Sequence, residues 1–267
     1  MAGYACSLAQ ALLEHGYAAH RFNMRSCGGT EQYSGRGLYH SGQTGDVHEV
    51  VRQIRAEDGK PFIIIGFSLG GNVALKLAGE LGARAADEGI AAVCAVSTPI
   101  DLAACVRKLH TRFNWLYANR FLKRLKQRIR VKERLMPGLF PVHRLGEVRT
   151  IRDFDDIFTA PAFGFGTAAN YYATQSSAQF LEKIRVPALL IQAKDDPLIP
   201  FSVFDLPAFG TNPNLRLVAT EHGGHIGFIS RRRPRFWVDG VILEWMAGVW
   251  EQAPAGIRSH PQGPLLP

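Results

Sequence analysis

Ser68 sits at the centre of Gly66-Phe67-Ser68-Leu69-Gly70, directly behind the apolar run Phe62-Ile63-Ile64-Ile65 and ahead of Gly71-Asn72-Val73-Ala74-Leu75-Lys76-Leu77-Ala78. The run reads as a buried parallel strand and the segment after it as a helix. A serine on so tight a strand-to-helix turn is forced into a strained backbone. It also needs small neighbours where the helix passes the strand, and Gly66, Gly70 and Gly71 supply them. The turn lifts Oγ clear of the sheet, at a helix N-terminus whose N–H groups can meet negative charge. The chemistry such a serine offers is nucleophilic attack, with the Leu69 N–H as the expected first oxyanion donor. The bare pentapeptide also fits an ordinary Gly-rich turn; the flanking strand and helix single it out.

A hydroxyl nucleophile needs a base, and the base needs an orienting acid. Two later segments supply both types. Ala188–Gln192 reads as a strand and runs into Asp195-Asp196-Pro197-Leu198-Ile199-Pro200. Leu215–Ala219 reads as a strand and runs into Glu221-His222-Gly223-Gly224-His225. Asp196 is favoured over Asp195 because the Pro-Leu-Ile-Pro that follows can turn it inward. His225 is favoured over His222 because Gly223-Gly224 lets the backbone bend over the sheet edge. Asp195 and His222 remain open alternatives at this level, as do simple roles as turn formers and loop histidines.

The rest of the chain is organised to hold these loops. Tyr4–His15 has helical spacing and ends at Gly16, a C′ glycine. Tyr17–Phe22 reads as a short strand, and 23–45 as a Gly/Ser/Thr-rich loop. Asp46 is a candidate N-cap for the helix that follows. Ile90–Val96 is a buried strand, and Phe236–Trp250 a last helix. Strands alternating with helices imply a mostly parallel sheet with helices on both faces. The tail from Pro254 is Pro/Gly-rich and reads as disordered. The reading is therefore one α/β domain over residues 1–253, with an inserted cap at about 101–174 and a tail at 254–267.

The cap interval carries the charge. The chain has 31 Lys/Arg and 23 Asp/Glu, a net charge of +8. Residues 101–152 hold 14 basic and three acidic side chains, leaving 17 basic against 20 acidic elsewhere. Trp115-Leu116-Tyr117, Phe121, Leu122, Leu125 and Ile129 recur at helical spacing among Arg120, Lys123, Arg124, Lys126, Arg128 and Arg130. That is a basic amphipathic helix, suited either to covering the active site with its apolar face or to lying on an anionic membrane. No nucleic-acid motif accompanies it.

The 46% apolar content suits a substantial core. Cys6, Cys27, Cys94 and Cys105 have neither CxxC nor metal-ligand spacing and read as small apolar residues or free thiols of a reducing compartment. No metal or organic cofactor is implied. No secretory signal and no span of ~18 apolar residues is read, so the expectation is a cytoplasmic protein with peripheral membrane contact as a variant.

Six pieces match a family in order. They are Asn23-Met24-Arg25-Ser26-Cys27-Gly28-Gly29, Tyr39-His40-Ser41-Gly42-Gln43-Thr44-Gly45-Asp46, Gly66–Asn72, Arg152-Asp153-Phe154-Asp155-Asp156, Ala193–Pro197 and Glu221–Phe228. On these the chain resembles the YheT-like branch of the α/β-hydrolase superfamily, esterases related to abhydrolase-domain lipases and medium-chain ester hydrolases.

The resemblance implies the α/β-hydrolase fold, with Ser68 as nucleophile, Asp196 as acid and His225 as base. It also implies hydrolysis of carboxylic esters, short- to medium-chain or lipid-like, with acyl transfer to an alcohol as a related reaction. That family carries first strands and a His-Gly oxyanion loop ahead of the point where this chain starts. The chain is thus expected to lack the first strands, or to pair Tyr17–Phe22 with Phe62–Ile65 in their place. A catalytically impaired hydrolase-like fragment is the reading from a different class. Phe154-Asp155-Asp156 reads as a structural turn of the cap, Tyr171-Tyr172 as packing or acyl-pocket lining, and Arg25 as a brace between loops.

Overall fold

Alternate apolar side chains along the strands serve two different cores. The computed structural model of the chain describes residues 3–34, 38–231 and 235–252. The strands are β1 (Phe62–Phe67), β2 (Ile90–Val96), β3 (Ala188–Ala193) and β4 (Leu215–Thr220). They pair in the order β1-β2-β3-β4, all parallel. The longer helices, in chain order, are α1 (Gly3–Glu14), α2 (Thr44–Asp58), α3 (Leu69–Leu81), α4 (Leu102–Leu109), α5 (Trp115–Leu135), α6 (Ala168–Gln175) and α7 (Trp237–Gln252), with shorter helical pieces between them. Phe154-Asp155-Asp156 is helical rather than a turn, because Ile151–Phe154 and Ala160–Ala162 are joined by a π-helical Asp155–Thr159.

The period of two along the strands sorts the layers. Val93 and Ala95 of β2, with Ala188 and Leu190 of β3, face a core that includes Val51 of α2 and Leu75 and Ala78 of α3. Cys94, Val96, Leu189 and Ile191 face a second core with Leu8 and Leu12 of α1 and Val238, Ile242 and Met246 of α7. Leu189, Leu190 and Ile191 are almost wholly buried, each contributing about 1.5–3 kcal/mol relative to exposure. The sheet is covered on both faces, as a parallel sheet must be.

Between β2 and β3 runs the cap, which has a core of its own. Leu122 and Ile129 of α5 pack with Leu38, Phe140, Leu145, Val148, Phe154 and Phe158. This corrects one expectation: the apolar residues of α5 form no single covering face, since Leu122, Leu125 and Ile129 go to that cluster while Trp115, Leu116, Tyr117 and Phe121 are exposed. A separate cluster of Leu102, Ala160, Ala168, Tyr171 and Tyr172 reaches Leu69 at the start of α3.

Two further expectations are corrected. Tyr17–Phe22 forms no strand. It has no β-branched residue; Tyr17 and Ala19 pack on the α1/α7 core and the His20 ring lies 6.1 Å from that of Phe62, so the segment meets β1 through side chains. Asp46 is not the cap of α2, which begins two residues earlier at Thr44. Its carboxylate lies in the first turn, where the helix dipole favours it, and accepts from the Arg25 guanidinium and Gln43 Nε2. Arg25 thus bridges the 23–45 loop to α2. Gly16 does close α1 in the left-handed region, at φ 79°. The tail from Pro254 lies outside the described residues.

Candidate active site

In an all-parallel sheet the C-terminal ends of the strands share one edge, and each candidate residue follows one of those ends. Ser68 follows β1, Asp196 follows β3 and His225 follows β4. Neighbouring strands are about 4.8 Å apart, so the loop after β4 must cross about 14 Å of sheet edge to bring a histidine to β1. How this loop is held decides whether the site exists.

The serine turn comes first. Ser68 has φ 50° and ψ −119°, a conformation that costs a non-glycine residue on the order of 1–3 kcal/mol. The close packing explains its persistence. A Cβ on Gly66 would overlap the Gly70 carbonyl, and one on Gly71 would overlap the Thr98 hydroxyl. The Ser68 N–H continues the ladder to Val96 O at 2.8 Å. Leu69 opens α3, so its N–H has no acceptor within the helix, and the adjoining helix dipole favours negative charge beside it.

The acid and base loops separate the alternatives that the sequence leaves open. His225 Nε2 lies 3.0 Å from Ser68 Oγ, and His225 Nδ1 lies 2.9 Å from Asp196 Oδ2. Asp196 is 1% exposed. Its Oδ1 accepts from Leu198 N at 2.8 Å and Ile199 N at 3.2 Å, and Gln192 Nε2 donates to Oδ2 at 3.0 Å. With an acceptor-only carboxylate on Nδ1, the ring carries its proton there and turns a bare Nε2 toward the serine hydroxyl.

Asp195 points the other way. Its Oδ1 accepts from Gly223 N at 3.0 Å and Gly224 N at 2.8 Å, and Oδ2 lies 3.3 Å from the exposed His222 Nδ1. The Gly224 amide, with lesser help from His222 and Gly223, holds the Asp195 carboxyl below the usual carboxylate range. Asp195 therefore stakes down the beginning of the histidine loop.

Three anchors carry that loop across the edge: Asp195 at its start, Ser97 at its middle and Phe228 at its end. Ser97 is buried at the end of β2 with φ 50°, and its Oγ accepts from Ile226 N at 3.3 Å. Phe228 is buried in the α1/α7 core, and its N–H donates to Gly223 O at 3.0 Å. Ile226 and Phe228 both have positive φ, so the crossing is made through strained backbone.

Sequence reasoning misses several supports. Ser97 and Gln192 carry a weak signal, a polar residue ending an otherwise apolar strand, because a buried polar group must find partners. Asn72 is fully buried one turn into α3. Its Nδ2 donates to Ser41 O at 2.8 Å and Gln175 O at 2.9 Å, and its Oδ1 accepts from Ser177 N at 2.8 Å. It thus locks the 39–43 loop and the end of the cap to the serine helix. Lys108 Nζ donates to Asp196 O at 2.6 Å and Ile199 O at 2.9 Å, and Asn114 Nδ2 donates to Pro197 O at 2.6 Å. The cap thereby grips the acid loop from outside.

Tyr171 and Tyr172 are packed rather than open. The Tyr171 hydroxyl lies 2.5 Å from Ser41 Oγ, and the Tyr172 hydroxyl donates to Asp155 Oδ2 at 2.6 Å. Burial pushes the Asp155 carboxyl up to about 6, against those hydrogen bonds. A cavity of about 430 Å³ lies beside α4, lined by Asp101, Arg107, Arg152, Tyr172 and Gln179. None of the three candidate catalytic residues lines it. Among the described residues no group of three or more His, Cys, Asp or Glu could hold a metal ion.

Known proteins share this architecture. A family model of the alpha/beta hydrolase fold matches residues 1–231. YheT of Escherichia coli K12, an esterase by name, is 35% identical over 248 residues, which cover 91% of this chain and 72% of that protein. Phospholipase ABHD3 of Mus musculus is 30% identical over 89% of this chain; the match spans 58% of that longer protein. Among solved structures, a monoacylglycerol lipase of Paleococcus ferrophilus superposes with a TM-score of 0.56 at 18% identity, over 93% of this chain and 90% of that one. At that identity the superposition speaks for the fold.

Proposed function

Since the chain belongs to the α/β-hydrolase family, and within it to the YheT-like branch, we propose that it is a serine hydrolase of carboxylic esters acting through an acyl-enzyme. The observation that carries this reading is the continuous hydrogen-bond line Ser68–His225–Asp196, with separations of 3.0 and 2.9 Å. In it His225 Nε2 takes the Ser68 proton as Oγ attacks the ester carbonyl carbon. The developing oxyanion is met by the Leu69 N–H at the start of α3. The C–O bond to the alcohol then breaks, and His225 returns its proton to the leaving oxygen. Water, losing a proton to His225, attacks the acyl carbon; the acid departs and Ser68 recovers its proton. Asp196 holds the imidazole in the required tautomer and stabilises the imidazolium formed twice in the cycle.

The substrate class follows from relatives. One is named a phospholipase and another, from Saccharomyces cerevisiae, a monoacylglycerol lipase. Lipid-like esters are accordingly the proposed substrates, with short- and medium-chain esters as convenient reporters. The test is release of acid and alcohol from a p-nitrophenyl ester series and from monoacylglycerol, with an added alcohol to detect acyl transfer. Ester hydrolysis by the wild type that disappears in Ser68→Ala supports the reading. Turnover unaffected by Ser68→Ala, or none by folded wild type, contradicts it. A transesterified product exceeding free acid would make the chain an acyltransferase.

A further inference from the structure

The turn from α4 into α5 leaves large apolar side chains in the open. Phe113 is 96% exposed, Leu116 72% and Trp115 61%, with Tyr117 and Phe121 also exposed. Exposed large apolar residues are ordinary when single; a contiguous set marks a contact surface. These five fall within nine residues of one turn and helix start.

Leu116, Tyr117 and Phe121 share the exposed side of α5 with basic residues. Leu116, Arg120, Lys123, Arg130 and Arg134 follow one another at helical spacing, with Tyr117, Phe121 and Arg124 alongside, and all are exposed. The buried positions, Ala118, Leu122, Ile129 and Lys132, lie on the opposite side. From Leu102 to Lys132 there is no Asp or Glu. Other cations of this helix are committed inward: Lys126 donates to Val148 O, and Arg128 stacks on Tyr39 at 4.6 Å. Arg112, Arg120, Lys123, Arg124, Arg130 and Arg134 make no ion pair among the described residues.

We propose that this face, from Phe113 along α5, docks on an anionic lipid surface, with the aromatic turn inserted at the interface and the arginines and lysines over the headgroups. The chemistry selects that occupant. Aromatic and leucine side chains gain by entering the headgroup–acyl boundary, and unpaired cations gain from the negative surface potential. A protein partner of ordinary composition offers no comparable sheet of negative charge.

The docked turn is also tied to the candidate active site. Asn114, buried between Phe113 and Trp115, holds Pro197 O, while Lys108 holds Asp196 O. Docking would therefore bring the acid loop close to the source of lipid esters. Binding itself does not rest on the ester-hydrolase reading; only this benefit does.

The experiment is flotation of the full chain with phosphatidylcholine vesicles, with and without about 30 mol% phosphatidylserine, at low and high salt. Wild type is compared with Phe113→Ser/Leu116→Ser and with Arg120→Gln/Lys123→Gln/Arg124→Gln. These side chains are exposed, so the variants keep the fold, which circular dichroism and hydrolysis of a soluble ester check separately. The expected result is salt-sensitive binding to anionic vesicles only. The charge variant should lose roughly two orders of magnitude of partitioning, and the apolar variant a comparable amount. No binding of folded wild type to anionic vesicles, or equal binding to neutral ones, overturns the proposal. So does concentration-dependent self-association in solution that both variants abolish, since the face would then belong to a second copy. Loss of ester turnover with vesicle binding intact would count against the hydrolase reading and leave the docking standing.

Discussion

Asp195 and Asp196 are adjacent in the chain, yet their carboxylates serve different histidines: Asp196 meets His225 Nδ1 at 2.9 Å and Asp195 meets His222 Nδ1 at 3.3 Å. Under the proposed mechanism the division gives chemistry to Asp196 and loop anchoring to Asp195. Asp196→Asn should lower kcat about 10³–10⁴-fold with the fold intact, because the amide favours the wrong imidazole tautomer. Asp195→Asn should cost no more than about tenfold, since the two glycine amides keep an acceptor oxygen. Steady-state kinetics on a soluble ester checks both; similar losses for the two would contradict the division.

Ser97 is a positioning residue. Its hydroxyl meets the Ile226 N–H next to His225, so Ser97→Ala should loosen the base rather than the binding of substrate. The expected outcome is a kcat reduced about three- to thirty-fold with KM within about twofold, on the footing that small misplacements of catalytic groups are costly. Ser97→Thr, which keeps the hydroxyl, should recover much of the loss. A change in KM alone would point to a different role.

Asn72 supports the fold of the site without touching the reaction. Asn72→Leu would strand the Ser41 and Gln175 carbonyls and the Ser177 amide in the interior. At about 1–3 kcal/mol for each unsatisfied buried group, the loss should be about 3 kcal/mol or more, read as a lower midpoint in urea. An unchanged midpoint would show that water replaces the side chain.

Asp155 and His40 oppose each other in pH dependence. Burial raises Asp155 to about 6, so the folded state holds a proton that the unfolded state has released, and this contribution falls as pH rises from about 4 to 6. Burial among Phe163, Phe165 and Tyr171, with Lys76 nearby, lowers His40 to about 4. Its contribution is present above the unfolded value near 6.5 and is lost as pH falls toward 4. Asp155→Asn removes the first and exposes the second. The stability of the variant relative to wild type should therefore rise between pH 4 and 6.5, by on the order of 2–3 kcal/mol. Denaturant titrations across that range check it; a flat difference would contradict the raised carboxyl.

The sequence carries much of this because the main elements obey local rules. Phe62–Ile65, Ile90–Val96 and Ala188–Gln192 are apolar runs that read directly as buried strands, and each candidate residue is placed by the strand before it. The elbow is legible because Gly66 and Gly71 are required by contact with Gly70 and Thr98, although a Cβ on Gly70 itself would meet nothing within 4 Å. What is not legible depends on distance. The Pro-Leu-Ile-Pro that follows favours Asp196 over Asp195, but their different partners appear only when the histidine loop returns. Ser97 meets Ile226 across 129 residues, and Asn72 meets Ser177 across 105, beyond any periodicity. Tyr17–Phe22 misleads because apolar side chains can serve a helical core as readily as a sheet edge. The basic amphipathic pattern of α5 is visible, but which apolar residues the cap absorbs is set by Phe140, Val148 and Phe158 packing from later in the chain.

The proposed chemistry stands or falls with Ser68, activated by His225, as a nucleophile. The direct measurement is labelling with a fluorophosphonate probe, read by intact mass and peptide mapping, on wild type, Ser68→Ala and His225→Ala. One probe adduct is expected on wild type at Ser68, none on Ser68→Ala, and labelling slowed at least about 10²-fold in His225→Ala. Equal labelling of wild type and Ser68→Ala, or an adduct at another residue, would contradict it.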